Sequence, residues 1–209
     1  MTGPAVEVAR LAPDLAPRSP RGAALRGLVL GGARGADVTV AAVLALAIAG
    51  IGAAAGYGAY APDPGQGGVV PGPGTLPSTV LTILGQNLGA VLLAFTGAMT
   101  WGLGTIAALL TTSAWVGATA HAVIAEIGAQ EVVARVLPYV LLEFGGLLLA
   151  AAGGLYPVVV LVGSLFRGRP RPPFAVALRT SLGLLLTGML LVVVGAVVEA
   201  ALIVWTHPS

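Results

Sequence analysis

Cysteine is absent from this chain of 209 residues. No disulfide framework, thiolate chemistry or cysteine-based metal site is available to it. Lysine is absent as well: all ten basic residues are arginine. Charged residues make up only 9% of the chain, against roughly 25% in soluble domains, too few to cover a water-facing surface. Histidine occurs twice, at His121 and His207, so a histidine-based metal centre is not expected, and no cofactor is expected either. The net charge of +2 is small and scattered, which argues against a nucleic-acid partner. The phosphate-cradling GxxxxGK[ST] loop, the HExxH zinc pair and the GxSxG elbow do not occur. The aspartates, Asp14, Asp37 and Asp63, all lie outside the expected spans, so an intramembrane Asp/Asp pair is excluded. Ser113 and His121 are two turns apart on one helix face, too far for a dyad. The sequence reads as that of a non-enzyme.

What is present is apolar length. Hydrophobic residues make up 57%, and the mean hydropathy is +0.97. The expected fold is all-α, a polytopic transmembrane helix bundle of about five spans in a lipid bilayer. Residues 1–37 read as a polar tail carrying Arg10, Arg18, Arg21, Arg26 and Arg34, with no cleavable signal pattern. A domain over 38–209 follows. Its first span, 38–60, has no charge over 23 residues, where about 20 suffice to cross a bilayer. Gly52 and Gly56 in it have the spacing that lets two helices approach closely. Residues 61–78 hold five Pro and five Gly and read as a loop. The apolar stretch 79–128 would be about 75 Å of helix, too long for one span. The natural break is Trp101-Gly102-Leu103-Gly104, giving spans at about 80–100 and 104–125. A polar connection is expected at 125–136. The fourth span is expected at 137–166, with Pro157 kinking or ending its first section. The fifth is expected at 174–205.

Arginine sets the expected orientation. The tail holds five and the stretch 167–179 holds Arg167, Arg169, Arg171 and Arg179, whereas 61–78 holds none. Positive charge stays inside, so the N-terminus and the Arg167/Arg169/Arg171 loop are expected in the cytoplasm and the C-terminus outside.

Glu143 has no charged residue within seven positions on either side. A carboxylate inside the bilayer is costly, and it marks a functional or structural keystone with a partner elsewhere. Depth at 1.5 Å per residue puts Glu143 about 36 Å from Arg167, Glu199 about 30 Å from Arg179, and His121 about 26 Å from Gly104. Asn87 comes out about 12 Å below the opposite surface. Helical phase aligns Tyr139, Glu143, Gly146, Ala150 and Gly153 on one face. It does the same for Gly188, Gly195 and Glu199, for Ser113, Gly117 and His121, and for Asn87, Ala90, Ala94 and Ala98. The expectation is a polar layer of Asn87, His121, Tyr139, Glu143 and Glu199 near the outer leaflet, with Gly52, Gly56, Gly117, Gly146 and Gly195 at helix contacts. Three roles stay open for that layer: polar glue between helices, a proton- or substrate-handling site, and exposure at the interface.

From Ile83 onward the chain resembles the stage II sporulation protein M family. Members carry an Asn early in a span, a Gly-rich turn, an Asn-Gly element, a Leu-Pro-His-Gly…Glu element and a late Glu-Ala. Asn87 matches the first and Trp101–Gly104 the turn. Gly117 matches the third, whose Asn-Gly is replaced by Ser113-Ala114-Trp115-Val116. Leu137, Pro138 and Glu143 match the fourth, with Tyr139 in place of His. Glu199 and Ala200 match the last. The resemblance covers about 120 residues. It implies a multi-pass protein of the bacterial cell membrane, without enzymatic activity, that works with protein partners or further copies of itself. Some members resemble partners of ABC-type ATPases, which implies, as the alternative, a membrane subunit of an exporter or immunity system for a peptide or lipid, served by a separate ATPase.

Overall fold

Five long helices carry the chain back and forth. The computed structural model describes residues 35–59, 76–167 and 172–206. These form α1 (Gly35–Ala59), α2 (Leu76–Phe95), α3 (Leu103–Ile127), α4 (Ala129–Arg167) and α5 (Phe174–Thr206). No strand occurs among the described residues. All five helices are long and apolar enough to cross a membrane. The protein is a helical integral membrane protein. Most of the tail expected at 1–37, most of the loop expected at 61–78, and Arg169 and Arg171 lie outside the described residues; Arg167 ends α4.

Small residues decide how the helices meet. Hydrocarbon gives no hydrophobic drive between helices, so close backbone approach and dispersion hold the bundle. On α1 the buried positions are Asp37, Ala41, Ala45, Ala49, Gly52 and Gly56, one narrow stripe. Its lower part is set against α3. A Cβ at Gly52 would stand 2.8 Å from the Leu110 carbonyl oxygen, and one at Gly56 would overlap the Ala114 backbone. Gly117 of α3 meets the Ala53 backbone in the same way. Between α4 and α5, a Cβ at Gly146 would stand 2.5 Å from the Gly188 carbonyl oxygen. One at Gly153 would stand 2.8 Å from that of Ser181. These pairings show α1 and α3 parallel, α4 and α5 antiparallel. Asp37 of α1 lies beside Gly163, close to the end of α4.

α4 is the axis of the bundle. It packs on every other helix, and Ala150–Tyr156 are all buried. A helix apolar on every side is a core helix, and here the surrounding helices α1, α2, α3 and α5 supply the cover.

Several boundaries differ from the sequence reading. α1 begins at Gly35 rather than 38 and takes Asp37, expected outside the spans, into its first turn, where it is buried. The polar connection expected at 125–136 is a single residue, Gly128, with φ 84° and ψ 151°. α4 begins at Ala129 and takes Gln130, Glu131 and Arg135 into its first turns. These are good helix formers, and their polarity signals water rather than an irregular backbone. Pro157 neither ends nor divides α4, which is assigned as one helix through it; inside a bundle, neighbouring helices compensate the missing N–H. α2 also starts earlier than expected, because Pro77 sits in its first turn, where no N–H is needed.

The α2–α3 turn is knotted by threonine. After a 3-10 turn at Thr96–Ala98, Trp101 takes a left-handed φ of 54° and Gly102 one of 84°. Thr105, fully buried, donates from Oγ1 to the Ala94 carbonyl at 2.5 Å. Thr100 Oγ1 accepts from the Gly104 N–H at 2.8 Å. The turn, with Gly97, Met99 and Trp101, borders a cavity of about 260 Å³ together with Pro157, Val158 and Phe174. It therefore stands at the same end of the bundle as the α4–α5 connection.

Candidate functional site

Glu143 lies one helical turn after Tyr139 on α4 and faces α5. What makes room for it is Gly195: a Cβ there would stand 2.5 Å from Glu143 Cγ. One turn further along α5 comes Glu199. The Glu143 and Glu199 carboxyl groups are close enough to interact, and the Asn87 amide on α2 is near Glu143 as well. Oε1 of Glu143 is buried and has no hydrogen-bond partner. Tyr139 is within electrostatic reach of both carboxyls. Three helices thus contribute to one polar cluster: α2 through Asn87, α4 through Tyr139 and Glu143, and α5 through Glu199.

A cavity of about 130 Å³ opens beside this cluster. Asn87 and Glu143 supply its polar wall, Thr112 and Val116 come from α3, and Val140 and Val192 are among its apolar residues. Chemically, the cluster can hold and hand over a proton or accept hydrogen bonds from a small donor. Among the described residues no group of three His, Asp or Glu is placed to hold a metal ion.

His121 is engaged elsewhere. Its Nδ1 lies 2.7 Å from the Tyr57 carbonyl oxygen, which only accepts, so Nδ1 carries the proton. The two rings stack with centroids 4.5 Å apart at 29°. His121 clamps α3 to α1, whereas the other four residues of the expected layer gather on α2, α4 and α5. The Tyr57–His121 contact is set by the parallel α1–α3 pairing, which no local pattern announces. Thr105 and Thr112 also went unmarked, since threonine is unremarkable in an apolar run. Gln86, next to Asn87, was the available signal that was missed: it is a second amide in mid-span, about 100° further round α2, and it is exposed.

The five glycines singled out from the sequence sit at crossings: Gly52, Gly56 and Gly117 between α1 and α3, Gly146 and Gly195 between α4 and α5. Comparison with family models, with curated proteins and with solved structures finds no match to this chain.

Proposed function

We propose that this chain is a non-enzymatic component of a multiprotein membrane assembly, of the kind that the resemblance to stage II sporulation protein M implies. In this reading it resides in a bacterial cell membrane, with the arginine-rich tail and the Arg167–Arg171 loop in the cytoplasm. The supporting observation is the outward side of α2. Ser78, Thr82, Gly85, Gln86 and Gly89 are all exposed there, in a helix that crosses hydrocarbon. Small and polar residues at such positions serve helix contact rather than lipid contact. The test is isolation from native membranes in mild detergent, with the mass of the particle measured. A mass above that of one chain is expected; a stable lone monomer with nothing co-isolating overturns the proposal.

The carboxyl pair beside a cavity favours a second reading, a membrane subunit that works with a separate ATPase to export a peptide or lipid. Glu143→Gln and Glu199→Gln then abolish export by cells expressing the complete system, while yield and elution profile stay unchanged. If both substitutions only reduce yield, the pair is structural glue.

A further inference from the structure

We propose that α2 is the contact surface for a second copy of this chain, joined through Gly85, Gln86 and Gly89 about a two-fold axis normal to the membrane. This rests on the assembly reading above and names its partner.

Thr82, Gly85, Gln86, Gly89 and Leu93 follow one another at helical spacing along the outer side of α2, and all are exposed. A Cβ added at Gly85 or Gly89 would meet nothing within 4 Å. The same four-residue spacing occurs at Gly52 and Gly56, where α3 lies directly against the glycines. α2 thus offers the kind of groove that α1 offers to α3 within the bundle, and offers it empty.

Gln86 is the independent observation. It lies midway along α2, about 15 Å from the start of the helix at 1.5 Å per residue. Its carboxamide has no hydrogen-bond partner among the described residues. Hydrocarbon supplies none, so an amide at this depth calls for a polar group on another helix.

The occupant follows from symmetry. Every copy inserts with the same orientation, so in a two-fold pair about the membrane normal each residue meets its own counterpart at the same depth. A carboxamide donates through nitrogen and accepts through oxygen, so two Gln86 side chains satisfy one another reciprocally. Two glycines facing two glycines bring the backbones close, as an isologous contact requires. α2 carries no charged residue, so nothing on it selects a partner of opposite charge. A different protein would need its own amide or hydroxyl at this depth on a small-residue face; a second copy has both by construction.

The absence of cysteine makes the test direct. Single substitutions Gly85→Cys, Gly89→Cys and Leu93→Cys are oxidised in native membranes. Leu186→Cys and Leu190→Cys on the exposed side of α5 serve as controls. A disulfide needs Cα atoms within about 7 Å, so it reports helix contact rather than collision. The expected result is a covalent dimer of twice the chain mass at the α2 positions, at least five-fold above the α5 controls. Adding Gln86→Leu to Gly89→Cys lowers that yield, and adding Gln86→Asn retains most of it. The unsubstituted chain in lipid nanodiscs or liposomes provides a second measurement, with two copies expected by single-molecule photobleaching. Dimer yield no higher than the controls, or one copy per particle, overturns the proposal. An α2 adduct of another mass also overturns it, while leaving the assembly reading standing. A lone monomer in native membranes overturns both.

Discussion

Gly50 and Gly56 lie six residues apart on α1 and have opposite surroundings. A methyl group at Gly50 meets nothing within 4 Å; at Gly56 it would overlap the Ala114 backbone of α3. Backbone cannot rotate away as a side chain does, so the helices must separate. Gly56→Ala should therefore destabilise by about 1–3 kcal/mol, the usual cost of overpacking. Gly50→Ala should stay within about 0.5 kcal/mol, as an open-surface change does. Unfolding by SDS in mixed micelles reads both. The difference was invisible in the sequence, where glycine occurs 31 times. Spacing marked Gly52 and Gly56 as a contact, but it could not say that Gly85 and Gly89, with the same spacing, face outward. Glu143 was legible on its own terms, because an isolated carboxylate in an apolar run demands a partner. That Glu199 and Asn87 are the partners depends on how α2, α4 and α5 are placed around it, and helical phase supplied only which side of each helix to consider.

At the scale of the element, α4 carries the largest lesson. Hydropathy located its apolar section well, and arginine at 167 marked its end. Its start was misread because Gln130, Glu131 and Arg135 look like a loop. Leaving the bilayer and leaving the helix are different events, and composition reports only the first. The true break is Gly128, whose φ of 84° and ψ of 151° fall where a side chain collides with its own backbone. Gly128→Ala should cost about 1–3 kcal/mol for that reason alone, since nothing stands near its Cβ to add a clash. The same SDS titration measures it. A loss well below that range would mean that α3 and α4 do not need so sharp a junction. The α2–α3 turn was easier to read: Gly102 and Gly104 beside Trp101 announced it, and only the threonine bonds that fasten it went unseen.

For the whole molecule, five apolar runs were enough to specify five crossing helices. Their contacts run α1 with α3 in parallel and α4 against α5, the alternation that sequential crossings require. The start of α1 and the end of α5 therefore emerge at opposite ends of the bundle. The proposed orientation, with the start of α1 at the cytoplasmic end, rests on the arginine distribution. A reporter fused after Ser209 should be active only outside the cytoplasm, and one fused before Met1 only inside it. A cytoplasmic signal after Ser209 contradicts this orientation. One further property belongs to the molecule as a whole. α4, at 39 residues, is about 58 Å long, nearly twice the thickness of a bilayer core. It is gripped where Ala150–Tyr156 are buried, with arms of about 36 Å to Ala129 and about 21 Å to Arg167. Its apolar crossing section is Tyr139–Phe166, so residues 129–138 carry α4 on past the membrane core as continuous helix, at the end opposite Arg167.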